Sequence, residues 1–81
     1  MNIQELSKLI DSIKEMWNES KFEKVRNELL GLQMQAGTPG ELLSTVTSFL
    51  NDLTINYRDA YGKAKSEIDE IIRYAKSIGY I

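Results

Sequence analysis

Between Leu42 and Ile78 an apolar side chain recurs every three or four residues, through Val46, Phe49, Leu53, Tyr57, Ala60, Ala64, Ile68, Ile71 and Ala75. No proline interrupts the run. That spacing keeps one side of an α-helix apolar, whereas a half-buried strand would need alternation. The run predicts one long helix over residues 39–78. Unbroken, it would be roughly 60 Å long. Gly62 is the one candidate break, and a lone glycine is tolerated inside a helix. The stripe also repeats every 11 residues, at Leu42, Leu53, Ala64 and Ala75, a period that favours straight or slightly right-handed packing.

Two shorter helices precede it. Ile3, Leu6, Ile10, Ile13 and Trp17 write the first, over residues 3–17, and Leu9 and Met16 widen its stripe. Asn2 is placed to cap it, with Glu5 reaching back three residues later. The second is expected over residues 21–35, with Ser20 and Glu23 in the same relation and Phe22, Val25, Leu29 and Leu32 as its stripe. Gly31 lowers its propensity by about 1 kcal/mol relative to alanine, and offers room for a close backbone approach. Gly37 is a candidate C-terminal cap. Thr38 then caps the long helix, Pro39 occupies its first position, where a missing N–H costs nothing, and Glu41 completes a third capping box.

The expected fold is therefore all-α, a single domain spanning residues 1–81. A chain of 81 residues buries only about 60–65% of its unfolded surface. Small domains compensate with disulfides, metals or oligomerisation. Cysteine and histidine are both absent, which removes disulfides and disfavours structural zinc. The two short helices, each roughly 22 Å long, would cover only half of the third. Three arrangements solve this mismatch. The long helix pairs with its copy in coiled-coil fashion; the chain folds back at Gly62 into a four-helix monomer; or the short helices stack end to end along the third. The first is the expectation: a homodimer or higher oligomer whose interface is Leu53, Tyr57, Ala60, Ala64, Ile68, Ile71, Ala75 and Ile78.

Composition excludes several function classes. Net charge is −2 with both signs interspersed, so no basic stripe for nucleic acid is visible. No 18-residue apolar run is long enough to span a bilayer. The N-terminal stretch is an amphipathic helix without a signal peptide's basic region and apolar block, which makes the cytoplasm the default location. Without histidine or cysteine the commonest general base and thiol nucleophile are missing, so no enzyme and no cofactor are expected. Gly37–Gly40 lacks the spacing, lysine and preceding strand of a phosphate loop. Glu67, Asp69 and Glu70 lie among Lys63, Lys65 and Arg73, where salt bridges outweigh metal ligation. Richness in Ile, Lys, Asn and Tyr points to an AT-rich bacterial or phage genome.

Two features bear on function. From Leu29 to Asn51 there is one charged residue, Glu41, in 23, while the chain as a whole is 27% charged. Small hydroxyl residues off the apolar stripe suit a face approached by another helix. Met34, Thr45, Ser48 and Phe49 are therefore the candidate partner contacts. Tyr57 and Tyr61, one turn apart with Arg58 beside them, are a second candidate, for a small ligand or nucleotide held between subunits. Core-edge tyrosines with hydroxyls at the rim are the alternative. The segment "TPGELLSTVTSFLNDLTINY", with its proline, paired leucines and later tyrosine, is similar in cadence to type III secretion needle and inner-rod subunits. That resemblance covers half the chain and implies a filament subunit. The two separately capped helices of the first half depart from that family's pattern. The expected function is a non-enzymatic interaction module, acting as a homo-oligomeric adaptor, inhibitor or assembly factor. The alternatives are a ligand-binding helical bundle and a filament or virion subunit.

Overall fold

The structure, a computed structural model, describes residues 1–80, and these are all-helical. Helix α1 spans Ile3–Met16, a single 3-10 turn spans Ser20–Phe22, and α2 spans Glu23–Gln35. Three more helices follow: α3 at Pro39–Asn56, α4 at Arg58–Lys63 and α5 at Lys65–Ser77. Helix α3 is central, packing against α2, α4 and α5, and α5 also packs against α1. The described residues measure 32 × 22 × 18 Å, with a radius of gyration of 11.5 Å. A compact chain of this length is expected near 12 Å.

The capping signals act as the sequence implies at two of three starts. Asn2 Oδ1 accepts from the Glu5 N–H at 2.9 Å. Thr38 Oγ1 accepts from the Glu41 N–H at 3.1 Å, with Pro39 in the first turn. Glu41 Oε2 reaches one residue further back and accepts from the Gly37 N–H at 2.7 Å. Ser20 does not cap α2; it opens the 3-10 turn, and α2 begins at Glu23 without a side-chain cap. Gly37 lacks the left-handed conformation expected of a C-terminal cap, and no neighbouring helix comes within 4 Å of where a Cβ on Gly31 would sit. Gly79 does take the left-handed role, at φ 85°. The N–H groups of Gly79 and Tyr80 donate to the carbonyls of Lys76 and Ala75, closing α5 in a Schellman motif.

The expected long helix over 39–78 is three helices. It breaks at Tyr57 (φ −134°, ψ 66°) and again at Ala64 (φ −127°, ψ 34°). Gly62 lies between the two breaks, inside α4. Neither break needs a glycine or proline. Thr54, Ile55 and Asn56 are weak helix formers, and burial decides the rest. The bends fold the second half of the apolar stripe back onto α1 and α3. Leu53, Ala60, Ala64, Ile68, Ile71 and Ala75, expected at an interface between copies, are buried in the chain's own core. That arrangement removes the length mismatch that argued for a dimer. Tyr57 and Ile78, the other two expected interface residues, are exposed. The compact globule also departs from the long second helix that the needle-subunit resemblance implies.

Because α3 has neighbours on several sides, its buried face is wider than the sequence stripe, taking in Leu43, Thr47 and Leu50 as well. Thr47 is fully buried, and its Oγ1 has no hydrogen-bond partner. An unpaired buried hydroxyl carries a desolvation cost of about 1–3 kcal/mol. Thr47→Val keeps the shape and should raise stability by about 1 kcal/mol. Thr38→Ala should lower it by about 1 kcal/mol through the lost cap. Denaturant melts of both variants, read by circular dichroism, measure the two effects.

Candidate functional site

The first break in the long stripe opens a chemically mixed concavity. At Tyr57 the chain leaves α3 and enters α4, and the bend faces the 3-10 turn and the first turn of α2. An open groove of about 520 Å³ lies between them. One wall carries Lys21, Phe22 and Lys24, and the other carries Ile55, Tyr57 and Arg58. Asp59 supplies the one carboxylate of the lining, and Ala60 closes its floor. Three cations against one carboxylate give this groove a local excess of two positive charges, in a chain whose net charge is −2.

The cations differ in their freedom. Lys21 Nζ lies 3.7 Å from Glu19 and 5.0 Å from the centre of the Phe22 ring. Glu19 is shared with Lys63, also at 3.7 Å. Lys24 and Arg58 form no ion pair among the described residues. The apolar part is equally uneven. Phe22 and Ala60 are buried, while Ile55 and Tyr57 are 71% and 39% exposed. The groove is tied to the core from behind, because the Trp17 indole N–H donates to the Ala60 carbonyl at 2.8 Å.

The expected tyrosine pair is split. Tyr57 faces this groove, but Tyr61 turns to α5 and donates to Asp69 Oδ1 at 2.5 Å. Lys65 Nζ donates to the other Asp69 oxygen at 2.9 Å. These bonds, the Tyr61 hydroxyl first and the Lys65 ammonium next, hold the Asp69 carboxyl below its ordinary range. The hydrogen bond to that carboxylate, then partial burial and the carboxylate's charge, raise Tyr61, and the hydrogen bond and charge raise Lys65. Tyr61 therefore does not line the groove with Tyr57; its hydroxyl is engaged by Asp69 on α5. Among the described residues no group of three or more acids is placed to hold a metal ion. No described helix is long and apolar enough to cross a membrane.

The candidate partner contacts lie on the surface. Met34, Thr45 and Ser48 are exposed, and Phe49 is half-buried against the core. The Thr45 hydroxyl donates to the Glu41 carbonyl at 2.8 Å, so that side chain is satisfied within its own helix. The outward face of α3 also carries Ser44, Asn51, Asp52 and Ile55. Sequence reasoning missed the contributions of Ile55, Lys21 and Lys24. Ile55 left a signal, being an isoleucine off the apolar stripe between Leu53 and Tyr57. The two lysines left none, since only the bend brings α2 opposite Tyr57. A smaller cavity of about 200 Å³ lies at the other end, where Ile3, Leu43, Ile78 and Tyr80 meet.

The Tyr61–Asp69–Lys65 trio has a defined pH window. The lowered Asp69 contributes stability above the ordinary carboxylate range and loses it as pH falls through its folded value. The raised Tyr61 and Lys65 contribute below the ordinary phenol and ammonium ranges and lose it as pH rises through theirs. Asp69→Asn should therefore narrow the stability difference from wild type at both pH extremes and leave it largest near neutrality. Urea midpoints across the pH range measure it.

Comparison with protein-family models, with curated proteins and with solved structures finds no match to the chain, so a functional reading rests on these residues alone.

Proposed function

We propose that the protein is a small non-enzymatic helical module that binds another protein through the outward face of α3. The observation that carries this reading is Ile55, 71% exposed at the end of a helix face whose other outward residues are mostly neutral. Ser44, Thr45, Ser48 and Asn51 precede it, with Glu41 and Asp52 as the only charges on that face. Elsewhere exposed helix faces of this chain are dense in Lys, Arg, Asp and Glu, as on α5. A face with few charges and an apolar end costs less to desolvate than a densely charged one, because fewer hydrated ions have to be stripped of water.

The partner in this reading is a different protein. The case for self-association rested on the stripe that the core now buries, and the α3 face does not share it. An adaptor, inhibitor or assembly factor of this size works by presenting such a surface on a stable scaffold, without chemistry of its own.

Ser48→Lys and Thr45→Lys test the proposal. On a solvated face each should change stability by less than about 0.5 kcal/mol, so both variants should keep their helicity and melting temperature. Each should also lose the protein that wild type captures from its host. Circular dichroism, sedimentation and quantitative capture are compared for the three proteins. Retention of the same captured protein by both lysine variants would remove the α3 face from consideration. Concentration-dependent assembly abolished by the same lysines would make a second copy of the chain its occupant.

A further inference from the structure

We infer that the groove at the α3–α4 bend is a binding site for a small anion carrying a planar ring, of the nucleoside-phosphate class. Its lining combines exposed apolar surface with cations unpaired among the described residues. Tyr57 and Ile55 present exposed apolar surface, and a planar ring stacking on a tyrosine is favourable whichever ring it is. Lys24 and Arg58 present cations without an ion-pair partner among the described residues, and a phosphate supplies the acceptor oxygens they lack. Lys21 adds a third positive charge, shared with Glu19. A volume of about 520 Å³ lies within the roughly 300–1,000 Å³ usual for small-ligand sites.

The position of the groove favours a ligand over plain surface. Its residues come from two segments well separated in the chain, Lys21–Val25 and Ile55–Ala60, that meet at the bend. Asp59, next to Arg58 in the chain, is the one carboxylate of the lining and repels an acidic group of the ligand brought close to it. The site lies within one chain, and needs no partner subunit. It is separate from the α3 face, although Ile55 stands at the edge of both.

Trp17 gives the site its own reporter. It is the single tryptophan, fully buried, and its indole N–H is held by the carbonyl of Ala60 at the groove floor. A ligand that shifts the bend changes that hydrogen bond and with it the indole emission. The experiment titrates wild type with ADP, adenosine and pyrophosphate, read by Trp17 fluorescence and by calorimetry. ADP should bind saturably and more tightly than either half alone. Arg58→Gln and Tyr57→Ala should each weaken ADP binding by about tenfold or more, while Lys65→Gln, on α5, leaves it unchanged. Melting curves establish that the variants are folded. Absence of saturable calorimetric binding up to millimolar ADP would overturn the inference. So would equal affinity for pyrophosphate or adenosine alone, or ADP binding that survives both groove substitutions. Ser48→Lys should leave ADP binding intact, which keeps the outcome distinct from that of the α3 face.

Discussion

The indole of Trp17 is the joint on which the remaining geometry depends. Its ring is completely buried at the end of α1, and its N–H donates to the carbonyl of Ala60 in α4. A buried indole N–H without an acceptor would be costly, so α1 and α4 are held in one register. The same residue's main-chain carbonyl accepts from Arg26 Nη1 at 2.7 Å, which brings α2 to the same point. Three helices therefore converge on one residue. The breaks on either side of α4 let the Ala60 backbone turn toward the tryptophan. With α4 fixed, α5 has one route, back between α1 and α3.

Much of the helical content was legible from the chain. Periodicity located α1 to within a residue and gave the starts of α1 and α3, because Asn2 and Thr38 have local partners three residues on. The buried identities of Leu53, Ala60, Ala64, Ile68, Ile71 and Ala75 were also readable from their common phase. What covers them was not. A helical stripe records which side chains leave water, and it is indifferent to whether a second copy or the chain's own first helix replaces that water. The two breaks were hidden for a related reason. Tyr57 and Ala64 are ordinary residues in a helix, and only tertiary packing makes their non-helical angles favourable. Gly62, the residue with local freedom to bend, was left helical because bending there relieved nothing. Of the candidate site, Tyr57 and Arg58 were visible as neighbours, whereas Lys21 and Lys24 join them only across the bend.

The two surfaces considered for function differ in physical character. The outward face of α3 is poor in charge and carries the only net acidity of its vicinity on Glu41 and Asp52. The groove beyond its C-terminal end is cationic and partly aromatic. Ile55 stands where they meet, and its exposure has no structural purpose in the packed core. Between them these surfaces account for Ile55 and Tyr57, two of the large exposed apolar side chains, while Met34 and Leu30 sit on α2.

The placement of α5 has a consequence for how the chain reaches this state. The helix that seals the core on α1 lies last among the described elements, and α1 lies first. During vectorial synthesis, Leu6, Ile10 and Ile13 emerge long before residues 65–77 can cover them. Helices α1 and α3 carry their own caps, but the apolar interior stays open to water until α5 arrives. Core closure thus waits for α5, and a chain that lacks it exposes apolar helix faces prone to aggregation.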